Sequence, residues 1–123
     1  MQDYRKLKVW DRAQQLCVEI YGFSVDFPPE ERYGMTSQLR RAALSVGSNI
    51  AEASKRKSQK DKARILNISQ SEGAEAMSVL DIADRLRYGS QGGARSFIAK
   101  YDELEAMLES LCQQVLGSAS DED

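Results

Sequence analysis

Four long stretches of the sequence place apolar residues at spacings of three and four, the pattern of a helix that buries one side. These stretches predict helices over residues 4–23, 36–54, 59–88 and 94–116. No segment alternates with the period of two that is typical of a half-buried strand, and no hairpin signal occurs. The sequence therefore predicts an all-α protein.

The breaks between these stretches are short and contain residues that interrupt or cap helices. Pro28 and Pro29 cannot occupy a helix interior, although Pro29 can open a turn. Ser58 is a candidate N-cap, with Asp61 in a position like that of the acidic residue of a capping box. Gly117 is the expected C-cap of the last helix. Four helices joined by short connections favour an antiparallel up-down-up-down four-helix bundle.

The length of 123 residues suits a single domain. We expect the bundle to occupy residues 1–117 and residues 118–123 to form a disordered acidic tail. The first residues lack the apolar segment of a signal peptide, and no segment approaches the roughly 20 apolar residues of a membrane span. We therefore expect a cytoplasmic protein without a membrane partner.

The apolar side of each predicted helix defines the expected core. Five residues on these sides should be buried: Trp10, Leu39, Ile50, Leu104 and Leu108. The same pattern places Tyr21, Ile68 and Leu86 on core-facing sides. Cys17 and Cys112 also lie within apolar patterns, where a small core residue is favoured over a disulfide or a metal ligand in a reducing compartment.

The chain contains no histidine, which excludes the Ser-His and Cys-His nucleophile pairs and imidazole metal sites. Carboxylates occur in pairs, Glu72 with Glu75 and Asp81 with Asp84, but di-iron bundles combine such carboxylates with histidine. No phosphate-binding glycine loop or cysteine cluster is present. We therefore expect no enzyme activity, no cofactor, no metal and no small-molecule substrate.

The second predicted helix carries a line of mostly short polar residues beside its apolar line: Arg41, Ser45, Ser48, Asn49 and Glu52. A face in water usually carries longer charged side chains, so this line favours an interface between helices, although a bundle edge facing water stays open. Glu52 can pair with Arg56 one turn later. If Glu52 is partly buried, Arg40 or Arg41 of a neighbouring chain is the alternative partner.

Small residues also recur on the second and third helices, at Gly47 and around Gly73. A glycine within a helix costs about 1 kcal/mol relative to alanine and usually has a packing reason. Two strips of small residues predict a tight helix crossing, either within one chain or between chains.

Charge is distributed unevenly along a chain whose net charge is −2. In an up-down-up-down bundle the chain start, the end of the second helix and the start of the third share one end. The bases of these segments are candidates for binding RNA or DNA: Arg5, Lys6, Lys8, Lys55, Arg56, Lys57, Lys60, Lys62 and Arg64. In this interpretation the acidic tail screens the basic end and competes with the nucleic acid. The alternative interpretation is a solvated loop beside a tail that only solubilises the chain.

Motifs in the first half of the chain carry a family resemblance. They are Leu7-x-x-Trp10, Phe27-Pro28 followed by Glu31, Tyr33-Gly34, Gln38-Leu39-Arg40-Arg41-Ala42, Ser45-Val46 and Ser48-Asn49-Ile50-Ala51-Glu52. The chain resembles the proteins encoded by intervening sequences of large-subunit (23S) ribosomal RNA genes, a family similar to accessory proteins of diversity-generating retroelements. The resemblance implies an antiparallel four-helix bundle, assembly into a ring of five subunits, and no enzyme activity. For the retroelement relatives it suggests nucleic-acid binding.

We therefore expect a non-catalytic, homo-oligomeric scaffold or interaction module. The alternative function is that of an accessory protein that binds RNA or DNA through the basic end of the bundle.

Overall fold

A computed structural model describes residues 1–118 of the chain. Four α-helices account for most of this part, and none of it is strand: α1 Lys8–Ser24, α2 Met35–Lys55, α3 Gln59–Arg85 and α4 Gly93–Gly117. Two single 3-10 turns, Tyr4–Lys6 and Pro29–Glu31, precede α1 and α2. The predicted all-α class is confirmed. Of the predicted tail, all residues after Ser118 lie outside the described part.

The helices pack as an antiparallel bundle in which α2 contacts α1 and α3, and α4 contacts α3 and α1. Side-chain contacts at the same level of the bundle show that neighbouring helices run in opposite directions. Arg40 near the start of α2 lies over Tyr21 near the end of α1, and Gln70 of α3 bonds to Glu109 of α4. The predicted up-down-up-down four-helix bundle is therefore the observed fold. No helix among the described residues is long and apolar enough to cross a membrane.

One continuous apolar core lies between the four helices. Leu39, Ile50, Leu104 and Leu108 are completely buried, as the periodicity predicts. Trp10 is only partly buried, so that prediction is wrong. Its ring packs edge-on against Tyr4, with 5.2 Å between the ring centroids, and thereby covers the margin of the core and not its centre.

Cys17 and Cys112 are buried free thiols, as expected of small core residues. Burial raises the pKa of both thiols, which keeps them protonated and poorly reactive.

The helix ends follow local chemistry that the apolar period does not reveal. The first helix begins later than expected, because Leu7 takes an extended conformation between the 3-10 turn and α1. The third ends earlier, because Arg87 has a positive φ of 61° and the Tyr88 N–H donates to the Ala83 carbonyl at 2.8 Å. A left-handed residue followed by such a bond is a common helix stop.

The predicted caps are partly confirmed. The Ser58 hydroxyl accepts a bond from the Asp61 N–H at 3.0 Å, which fixes the start of α3. Pro29 opens the 3-10 turn before α2, as expected. Gly117 belongs to the last turn of α4, and Ser118 is the residue that follows it.

Candidate interaction surfaces

The predicted basic end of the bundle is assembled as the topology requires. The 3-10 turn at the chain start packs against α2. Asp3 has its pKa lowered to about 2, mainly by the Arg5 side chain, with a further contribution from Lys55 at the end of α2. The chain start and the end of α2 therefore lie side by side, and α3 begins after a short connection.

Each arginine of this end is held by a carboxylate. Arg5 bonds to Asp3 at 2.7 Å, and Arg64 bonds to Asp61 at 2.8 Å. Arg56 lies 2.5 Å from Glu52 and 3.6 Å from the other oxygen of Asp61. The positive charge of the three candidate arginines is therefore already paired within the chain.

Lys62 is buried, so it does not belong to the exposed basic set. Its ammonium group donates to the Ser54 carbonyl at 3.3 Å and to the Arg56 carbonyl, both at the end of α2. Carbonyls at a helix C-terminus lack partners within the helix and favour a positive charge. Lys62 thus caps α2 from the first turn of α3. The sequence alone does not distinguish such a capping lysine from a solvent-exposed one.

The remaining candidates at this end are lysines. All five are exposed, and none forms an ion pair with another described residue: Lys6, Lys8, Lys55, Lys57 and Lys60. Five of the nine predicted bases are thus exposed lysines without an ion pair to any of residues 1–118.

A second surface lies where α2 and α3 meet on the outside of the bundle. We call it the α2–α3 face, and it comprises the predicted polar line of α2 and the stripe of α3 beside it: Arg41, Ser45, Ser48, Asn49, Glu52, Ile68, Glu72, Glu75, Ile82 and Leu86. The Asn49 amide donates to the Ser45 carbonyl at 2.8 Å, and the Ser48 hydroxyl donates to the Leu44 carbonyl at 3.0 Å. The Ser48 hydroxyl and the Asn49 amide therefore have hydrogen-bond partners within their own helix.

Charged groups on the α2–α3 face pair within the chain. Arg41 lies 3.3 Å from Glu72 and also contacts Glu75. The Arg41 bond lowers the pKa of Glu75, whereas burial and the neighbouring Glu75 raise the pKa of Glu72. Glu52 is exposed and pairs with Arg56, which is the local alternative of the two that the sequence left open.

Three large apolar side chains stand exposed on the same face: Ile68, Ile82 and Leu86 are 38%, 47% and 51% exposed. The expectation that Ile68 and Leu86 point into the core is therefore wrong. They lie on the same side of α3 as Glu72. This side borders α2 and does not face the core. Together with the buried Ile65 and Val79, they form an apolar side of α3 that is wider than the part the core covers. The outer residues of this side therefore stay exposed.

A third surface, the α1–α2 seam, was not predicted. It consists of four exposed apolar side chains on the outer side of the α1–α2 contact: Val18, Tyr21, Val25 and Leu44. Tyr21 was expected in the core and instead lies at its margin under Arg40. The α1 members are spaced by three and four residues, so a search for a second apolar line on α1 could have found them.

Helices α2 and α3 approach closely within the chain at Ser69, but the glycines of the two small-residue strips do not meet there. The Ser69 hydroxyl of α3 donates to the Val46 carbonyl of α2 at 2.7 Å, and both groups are buried. Gly47 has a different neighbour, because a side chain there would meet Gln14 of α1. Gly73 likewise faces α4, where a side chain would collide with Glu105. The two glycines therefore serve separate contacts.

Two buried side-chain oxygens have no hydrogen-bond partner among the described residues, the Tyr101 hydroxyl and Glu105 Oε1. Glu105 Oε1 lies against Gly73 of α3. Burial, with a smaller effect of Asp102, raises the pKa of this carboxyl to about 7. The contact between α3 and α4 therefore contains a carboxyl that is neutral or charged depending on pH.

Comparison with known proteins confirms the family. The model of the 23S rRNA-intervening sequence proteins matches residues 5–110. The chain belongs to this family. A crystal structure of a protein of unknown function from the S23 ribosomal protein family of Bacteroides thetaiotaomicron is similar, with a TM-score of 0.75 and 28% identity. The match covers 85% of this chain and 97% of that protein. No curated protein matches. The relation to retroelement accessory proteins stays a prediction.

Proposed function

We propose that this member of the family is a non-catalytic interaction module that associates with further copies of itself through the α2–α3 face. The observation that carries the proposal is the combination of exposed Ile68, Ile82 and Leu86 with polar neighbours whose hydrogen bonds are already made. A buried donor without a partner costs about 1–3 kcal/mol. Ser48 and Asn49 escape this cost because they donate to their own helix.

The carboxylate pairs support a role without catalysis. Arg41 engages both Glu72 and Glu75, and Arg95 engages both Asp81 and Asp84 at 2.5 Å and 3.0 Å. Carboxylates held in this way act as structural ion pairs on the helix surface.

Size-exclusion chromatography with light scattering tests the proposal. The expected mass is a multiple of the chain mass of 13.8 kDa, and the family resemblance favours five copies. Ser48→Arg should lower this mass because it places a long charged side chain within the proposed contact between copies. The matched control is Ala106→Arg on the exposed side of α4. A monomer at tens of micromolar wild-type protein would contradict the proposal.

A second candidate function is the binding of RNA or DNA by the basic end. The observation that favours it is that the arginines of this end form ion pairs with carboxylates, whereas the exposed lysines do not pair with any described residue. These lysines are Lys6, Lys8, Lys55, Lys57 and Lys60. Lysines of this kind bind phosphates electrostatically, and on duplex DNA each contacted phosphate contributes about 0.9 to the slope of log affinity against log salt.

Binding to a single-stranded RNA and to a DNA duplex at low salt tests this candidate. The double change Lys57→Gln with Lys60→Gln should weaken binding and reduce the salt slope. Arg32→Gln with Arg87→Gln removes the same charge at the opposite end of the bundle and should leave binding unchanged. Deletion of residues 118–123 should strengthen binding if the acidic tail screens the lysines. If the truncated chain binds neither nucleic acid, this function is excluded.

A further inference from the structure

A recess opens at the basic end of the bundle, between the chain start, the first turn of α3 and the last turns of α4. Its volume is about 220 Å³, and six residues line it: Met1, Gln59, Leu111, Gln114, Val115 and Ser118. Sites for drug-sized ligands are larger, roughly 300–1,000 Å³. The recess therefore has room for one flat ring system and not for a larger organic molecule.

The lining of the recess combines apolar walls with two side-chain amides. Met1, Leu111 and Val115 supply the apolar surface, and Gln59 and Gln114 carry the amides. Neither amide hydrogen-bonds to another side chain or to the backbone within residues 1–118, and only the backbone carbonyl of Gln114 is engaged, by the Ser118 hydroxyl at 3.1 Å. An amide offers donors and an acceptor, which match the mixed donor and acceptor edge of a nucleobase.

Two of the exposed lysines stand next to the recess in the chain. Lys57 lies two residues before Gln59 and Lys60 one residue after it, and neither forms an ion pair with a described residue. The nearby carboxylate of Asp61 is held by Arg64 at 2.8 Å. A ligand with a planar ring and a neighbouring negative charge is therefore complementary to this corner of the bundle, and a nucleotide unit has both.

We propose that the recess binds one unstacked base of a single-stranded nucleic acid, with Gln59 and Gln114 at the base edge and Lys57 and Lys60 at the adjoining phosphates. This inference rests on the second candidate function, the binding of RNA or DNA by the basic end, and names the form of nucleic acid and the site of one base. A duplex keeps its bases paired and stacked, so only a single strand presents a base without the cost of unpairing it.

Fluorescence anisotropy with matched probes tests this inference. The probes are a labelled single-stranded oligoadenylate, as RNA and as DNA, and a strand of the same length and charge whose sugars lack bases. At low salt at least one of the two base-bearing strands should bind about tenfold more tightly than the abasic strand, which is within the range of one base held against a protein surface. The arm that binds identifies the sugar that the site accepts.

A substitution in the recess separates contact with the base from contact with the phosphates. Gln114 is exposed, so Gln114→Ala should keep the fold, and it should weaken binding of the base-bearing strand about two- to tenfold, the size of one hydrogen bond. The slope of log affinity against log salt should not change, because no charge is removed. The matched control is Gln113→Ala, whose amide lies outside the recess and donates to Glu109 at 3.4 Å.

The outcomes distinguish this inference from the candidate function. Equal binding of the base-bearing and abasic strands would overturn the base site and leave electrostatic binding by the lysines standing. An unchanged affinity of Gln114→Ala, or an equal loss for the abasic strand, would also overturn it. If the full chain binds none of the probes, the inference is wrong, and the candidate function is then decided by the chain that lacks residues 118–123.

Discussion

Helix α3 contacts α2 through polar groups that have hydrogen-bond partners, and it contacts α4 through a carboxyl that lacks one for one of its oxygens. Towards α2, the Ser69 hydroxyl is matched to a carbonyl, and Arg41 binds the carboxylates at the edge of the contact. Towards α4, the Glu105 carboxyl lies against Gly73 with one oxygen that has no partner among the described residues. Close helix approach therefore stabilises the bundle only where the approaching polar groups find partners, because desolvation penalises those that do not.

The largest change in the free energy of unfolding is expected from a substitution in the apolar core on the α4 side. Leu108 of α4 is completely buried, so Leu108→Ala should lower the free energy of unfolding by about 2–5 kcal/mol through lost contacts and a cavity. Urea denaturation followed by circular dichroism measures the change. A loss below about 1 kcal/mol would mean that the α4 side depends less on apolar packing than its burial indicates.

Glu105→Gln should stabilise the protein at alkaline pH, in contrast to most substitutions. The pKa of Glu105 is raised from 4.5 to about 7, so its ionisation destabilises the fold progressively as the pH rises from about 4.5 to 7. Above pH 7 we expect a gain of about 1–3 kcal/mol after allowance for partial exposure, and below pH 4 none from this cause. Melting temperatures from pH 4 to 9 test this, with the exposed Glu103→Gln on the same helix as the control.

Ser69→Ala should act in the opposite direction on the α2 side. The change removes the donor to the Val46 carbonyl and should cost about 0.5–1.5 kcal/mol with little dependence on pH. Thermal unfolding of this variant beside Ser71→Ala, whose exposed hydroxyl bonds within its own helix, isolates the contact between helices. Equal stability of the two variants would remove the contrast between the sides of α3.

The smallest effect is expected at Arg41. Its guanidinium is exposed, so Arg41→Gln should change the free energy of unfolding by less than about 1 kcal/mol. Because Arg41 lowers the pKa of Glu75, its contribution should be present at neutral pH and decline as the pH falls through the titration of that carboxylate. Chemical denaturation at pH 7 and pH 3 measures the difference, and an unchanged value at both would show that the pair is neutral for stability.

The helices were predictable because their signals are local. The period of three and four, the two prolines and the Ser58 cap each act within one turn, and each is found in the structure close to its predicted place. Leu39, Ile50, Leu104 and Leu108 were predictable for the same reason, since a residue in the middle of an apolar line faces the core whatever the neighbouring helix is.

The surfaces were less predictable because they depend on which helices are neighbours. Ile68 and Leu86 continue the apolar line of α3, and only the position of α2 shows that they lie beyond the core. The partners of Gly47 and Gly73 likewise follow from the order of helices around the bundle. Lys62 was counted with the free bases because its buried position is a property of the turn between α2 and α3.

The buried position of Lys62 also has a consequence for chemical reactivity. In acylation the deprotonated amine attacks the reagent, which must therefore reach it, and the Lys62 ammonium donates to two carbonyls at the end of α2. Brief treatment of the folded protein should therefore acylate Lys6, Lys55, Lys57 and Lys60 while Lys62, only two residues further along, is spared until α2 and α3 separate. The labelling of one lysine thus reports the opening of a single helical hairpin.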